Sequence, residues 1–181
     1  MKHFDISDKQ ASTLALRAVA SGRPWEMVEV GKYCSLYVNK QLVMSDTQME
    51  QTTNGEFLRQ AEGRVLIAGL GVGLIVYPLL GRKNVTDITV IEKHQDVIDL
   101  VQPHLEHEKL QVVCADIWEW EPEGVYDTVY LDIWNEVNVD NYDDMVRLEN
   151  KFRPSLRYDY SWMGCWSESI LDRLASYAYG A

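Results

Sequence analysis

Residues 65–73 read Val-Leu-Ile-Ala-Gly-Leu-Gly-Val-Gly, and this stretch decides the fold. Four apolar residues in a row, Val65 to Ala68, have the length and composition of a strand buried on both faces. Gly69, Gly71 and Gly73 follow at alternate positions and predict a tight turn that lets backbone approach a ligand closely. The apolar run 74–80, closed by Gly81, predicts a short helix after the turn, whose first N–H groups would be free for an anion. The same alternation continues downstream. Strands are expected over 86–91, 110–114, 126–131 and 161–166, and helices over 94–101, 140–152 and 167–179, the last capped by Ser167. Fully apolar strands alternating with helices define an α/β fold, a doubly wound and mostly parallel sheet covered on both faces.

In such sheets ligands bind outside the carboxyl ends of the strands. The glycine turn, Glu92, Asp116 and Asp132 all fall at strand ends. A carboxylate at Glu92, beside Lys93, is placed to accept hydrogen bonds from ribose hydroxyls. Asp116 can accept an adenine amino hydrogen, with Ile117 and Trp118 as walls. Asp132 should lie beside the glycine turn, because the fourth strand neighbours the first, and could orient or deprotonate a nucleophile. A nicotinamide fingerprint needs a small residue where Leu74 stands, which argues against hydride transfer.

Upstream, residues 7–20 carry apolar side chains at helical spacing, stopped by Gly22, Arg23 and Pro24. Short strands are expected over 25–30, 33–38 and 41–45, joined by turns at Gly31-Lys32 and Asn39-Lys40. These strands bury too little to stand alone. The organisation expected is therefore a β-rich N-terminal extension, 1–60, attached to an α/β domain, 61–181.

Among 181 residues, 46% are hydrophobic and 25% charged, a globular composition. Lys plus Arg is 17 and Asp plus Glu 28, for a net charge of −11. Residues 115–150 hold eleven acids and one base, Arg147, and so carry nearly all of that charge. Such a block repels phosphate backbones, so nucleic acid is not an expected partner, whereas a small cation or basic surface is. No apolar run has the roughly 20 uninterrupted residues of a membrane helix. The start of the chain is polar and mixed in charge, unlike a secretory signal. Cys34, Cys114 and Cys165 are spaced like neither a zinc site nor a redox pair. Each is expected as a small buried hydrophobe in a reducing cytoplasm. His104 and His107 have no third ligand near them, and no metal site is expected.

Taken together, VLIAGLGVG, TVIEK (89–93), VVCAD (112–116) and YDTVYLD (126–132) resemble, in order and spacing, the four motifs of the class I S-adenosylmethionine-dependent methyltransferases. The resemblance implies a Rossmann-like methyltransferase fold, truncated after the fifth strand. It implies binding of S-adenosyl-L-methionine or its decarboxylated form by Gly69, Gly71, Gly73, Glu92, Lys93, Asp116, Ile117 and Asp132, with Asp132 as catalytic residue. A sheet edge without further strands would need cover from a partner, such as a homodimer, or from the extension.

A narrower resemblance is to the spermidine synthases. Ile67 stands where many methyltransferases carry an acid, and residues 42–57 (LVMSDTQMEQTTNGEF) look like that family's segment after its N-terminal hairpin, with Asp46, Thr52, Glu56 and Phe57 in place. The departures are Glu50 for Gln, Arg59-Gln60 for the Tyr-His that meets the polyamine, Val72 for the loop acid, and Asn135-Glu136 for the second Asp. The expected activity is thus methyl transfer to a small or cationic amine acceptor. The alternatives are aminopropyl transfer to a polyamine, or binding of the donor without transfer.

Overall fold

The computed structural model describes residues 25–30 and 33–179. The helix expected over 7–20 and the turn at 31–32 lie outside them. Strands β1 (Trp25–Val30), β2 (Tyr33–Val38) and β3 (Gln41–Ser45) form an antiparallel sheet in that order. Asn39 and Lys40 turn β2 into β3 with φ of 49° and 68°. That left-handed pair is the twist a two-residue hairpin needs. Two short helices follow, α1 (Gln48–Thr53) and α2 (Gly55–Gln60).

The second sheet has five strands: β4 (Gly63–Ala68), β5 (Val85–Glu92), β6 (Leu110–Cys114), β7 (Thr128–Leu131) and β8 (Trp162–Cys165). All its pairings are parallel, in the order β6-β5-β4-β7-β8. The chain starts at the centre, winds outward through β5 and β6, then crosses to β7 and β8. This is the Rossmann-like order expected of the motifs. Helices α3 (Tyr77–Leu80), α4 (Gln95–Val101), α5 (Asn141–Phe152) and α6 (Glu168–Tyr179) cover the faces.

Strand alternation divides the core in two. Val65, Ile67 and Tyr130 face one layer, with Val97 and Val101 of α4, Leu36 of β2 and Phe57 of α2. Leu66, Ala68, Val129 and Leu131 face the other, with Met145, Leu148 and Phe152 of α5 and Leu171 of α6. The N-terminal strands and helices therefore share the first layer with the parallel sheet.

Three expectations are corrected. The run 74–80 is helical only at Tyr77–Leu80; before it, Gly73 N–H bonds Leu70 O, and the N–H groups of Val76 and Tyr77 bond Gly73 O. Pro78 explains this, because a helix begun at Leu74 needs an N–H at 78 that proline lacks. Cys114 is exposed rather than buried, since it ends β6 at the edge of the sheet; Cys34 and Cys165 are buried. Ser167 does not cap α6 through its hydroxyl. Its φ is 55°, and Oγ is buried without a hydrogen-bond partner. A capping hydroxyl reaches the first-turn N–H groups from an extended backbone, and this one is left-handed. The Ser167 carbonyl accepts from Ile170 and Leu171 instead.

Candidate functional site

A cavity of about 380 Å³ opens over the carboxyl ends of β4, β5, β6 and β7. It lies within the size range of small-molecule sites. Gly69 follows β4 directly, and its N–H bonds Ile91 O at 2.8 Å. With φ of 97° it passes so close to the next strand that a Cβ would lie 2.1 Å from the Asp132 carbonyl oxygen. Gly71, φ 52°, has the sulfur of Met44 where a Cβ would point. Gly69, Leu70 and Gly71 line the cavity. Gly73 is not among the lining residues; with φ of 77° it shapes the turn behind them.

Glu92 ends β5 and is 7% exposed. Its Oε2 accepts from Leu70 N–H at 2.9 Å and Oε1 from His94 N–H at 2.8 Å. The carboxylate thus ties the glycine turn to the end of β5, and each oxygen keeps a lone pair for a further donor. Lys93 reaches across to Asp116, Nζ to Oδ2 at 2.8 Å. Asp116 Oδ1 accepts from Trp118 N–H at 3.0 Å. The Lys93 ammonium, then the Trp118 N–H, hold the Asp116 carboxyl below the usual range. Ile117 is buried and Trp118 half-buried, and both line the cavity.

Asp132 continues the β7 ladder, its N–H bonding Ala68 O at 2.9 Å. It lies beside the glycine turn, the position expected of it. Burial, and then the negative charge of Glu50, push its carboxyl up to about 8. Glu50, on α1, lines the same cavity. Burial raises its pKa, and the neighbouring Trp166 indole opposes the rise. Near neutrality Asp132 keeps its proton; above its pKa it becomes a base.

The cavity thus collects Gly69, Gly71, Glu92, Lys93, Asp116, Ile117 and Asp132. It also includes residues the strand-end reading did not foresee: Leu36, Met44, Glu50 and Trp166. Glu50 and Met44 lie in the segment 42–57, where Glu50 is the departure from Gln, and the tryptophans of the strand expected over 161–166 are sequence candidates for the lining of an acceptor pocket. Five carboxyl groups line it, those of Glu50, Glu92, Asp116, Asp132 and Asp144, beside Lys93 and His94. Among the described residues no group of three His, Cys, Asp or Glu side chains is placed to hold a metal ion. No helix among them is long and apolar enough to cross a membrane.

No family model and no curated protein matches the chain. Solved structures do. A DhpI-SAH complex is 20% identical over 60% of this chain and 52% of that one, with a TM-score of 0.46. A DhpI-SAM-HEP complex is 17% identical over 87% of this chain and 64% of that one, TM-score 0.49. The N-methyltransferase NodS from Bradyrhizobium japonicum WM9 is 16% identical over 61% and 64%, TM-score 0.49. The chain spans about half to two thirds of the length of these relatives.

Proposed function

We propose that the chain is an S-adenosylmethionine-dependent methyltransferase acting on a small or cationic amine acceptor. The observation that carries this reading is the meeting of the four motifs in one cavity at the carboxyl edge of the sheet. Gly69 and Gly71 take the methionine part of the donor, on a turn shaped by Gly73. Glu92 and Lys93 stand at the ribose, Asp116 at the adenine amino group and Ile117 beneath the ring. The donor supplies a sulfonium carbon that is already electrophilic, so the protein need mainly exclude water and align the acceptor. Asp132 receives the proton an ammonium acceptor must lose. A carboxylate whose pKa is raised toward that of an amine is the better base for this. The surplus of carboxylates favours a cationic acceptor over an anionic one.

The alternative, aminopropyl transfer from the decarboxylated donor to a polyamine, is not favoured. From the segment 42–57 the cavity takes Val43, Met44 and Glu50; none of these is among the residues that match the spermidine synthases, and Glu50 is a departure from them. Paired calorimetric titrations separate the two. Tighter binding of intact S-adenosylmethionine is expected. Tighter binding of its decarboxylated form would put the aminopropyl reading first, and binding of neither would end the donor assignment.

A further inference from the structure

Helix α5 lies outside the four motifs, yet one of its faces grips the segment that carries Asp116. Lys151 is only 19% exposed, unusual for a lysine. Its Nζ lies 2.6 Å from Trp118 O and 3.2 Å from Ile117 O, and 3.4 Å from the Glu121 carboxylate. One turn earlier, the Arg147 guanidinium sits over the Trp118 ring, 4.8 Å from its centre, and bonds Asp144 at 3.3 Å. Residues 147 and 151 share a helix face because they are four apart. The gripped segment is short and strongly bent: the N–H groups of Glu119 and Trp120 both turn back to Asp116 O. A half-buried ammonium on two successive carbonyls fixes the peptide planes of 117 and 118, and with them the direction of the Asp116 side chain.

We propose that Lys151, assisted by Arg147, is a positioning residue for the nucleoside end of the donor. It holds Asp116, Ile117 and Trp118 in the arrangement that selects adenine. This rests on the donor reading above. It assigns Lys151 no contact with the donor.

The test is base selectivity, which a merely stabilising residue would not alter. Affinities for S-adenosylhomocysteine and for its inosine analogue are measured by calorimetry on the full chain. The unaltered protein is expected to prefer the adenosyl compound by about tenfold or more, because the analogue offers Asp116 an oxygen where adenine has an amino donor. In Lys151→Met, adenosyl affinity should fall about tenfold and most of the preference should vanish, while Lys151→Arg keeps it. Arg147 is 69% exposed. Arg147→Gln therefore leaves the fold intact and should reduce the preference about threefold. If Lys151→Met does not fold, Arg147→Gln decides alone. Affinity lost equally for both compounds, or an unchanged preference in the variants, overturns the positioning role. Failure of the unaltered protein to bind S-adenosylhomocysteine would instead remove the donor reading beneath it.

Discussion

A carboxyl group whose pKa is higher in the folded chain than in the unfolded one binds a proton on folding. Asp132 is such a group, pushed up to about 8 by burial and by Glu50. Below about pH 4 both states are protonated, and its contribution to stability is complete. Between the unfolded and folded values only the folded chain holds the proton, so stability falls as pH rises, by at most about 1.4 kcal/mol per unit. Asp132→Asn should remove that slope. Thermal melts from pH 5 to 8 are expected to decline in the unaltered protein and to be flatter in the variant; parallel profiles would mean that Asp132 is not held protonated. Glu50 is shifted in the same direction and leaves a residual slope. On the proposed function, methyl transfer should show the opposite trend, rising through the same pH range as Asp132 gains its charge. The position of Asp132 was legible because strand ends are local features. Its pKa was not, because that depends first on burial in the folded core and then on Glu50, 82 residues earlier in the chain, entering the same cavity.

Elements whose signal is local match their sequence closely. The strand expected over 110–114 is β6 itself, and that over 41–45 is β3. The departures arise where one residue overrides a pattern. The apolar run 74–80 predicts a helix throughout, but Pro78 removes an obligatory donor, and the chain crosses the gap in turns. At the start of α6, serine promises a cap, yet the exit from β8 requires a left-handed residue at 167. Sequence pattern carries no information on that exit angle. The consequence is a residue with two penalties, a positive φ without glycine and a buried hydroxyl without a partner. Ser167→Gly relieves both. Glycine's greater freedom in the unfolded chain offsets part of the gain. A net stabilisation of about 1 kcal/mol is expected, read as a higher urea midpoint at unchanged slope. An unchanged or lower midpoint would show that Oγ finds a partner in solution.

At the scale of the whole molecule, the N-terminal segment is expected by sequence to be an extension beside the parallel sheet, yet it contributes to both core and cavity. Phe57 of α2 is 1% exposed and stacks on Tyr130 of β7, ring centres 4.3 Å apart and nearly parallel. Tyr130 Oη donates to Asn54 at 2.8 Å, the Trp166 indole donates to Thr53 at 3.2 Å, and the Thr128 hydroxyl exchanges hydrogen bonds with the backbone of Glu62. These contacts join α1 and α2 to β7 and to the end of β8, between residues 66 to 113 positions apart. No local period encodes such distances, so the expected division at residue 60 could mark where the pattern changes but not how the parts dock. With the core continuous across that division, the described residues should unfold as one cooperative unit. Phe57→Ala removes the central ring of the junction and should cost about 3–5 kcal/mol. If the parts are one unit, tryptophan fluorescence and far-ultraviolet dichroism will shift together to a lower urea midpoint, with a single transition in each. Two separated transitions, with only the earlier moved by Phe57→Ala, would mean that the N-terminal part folds on its own. The cavity at the carboxyl edge would respond to the same substitution, because Glu50 reaches it from the helix just before Phe57.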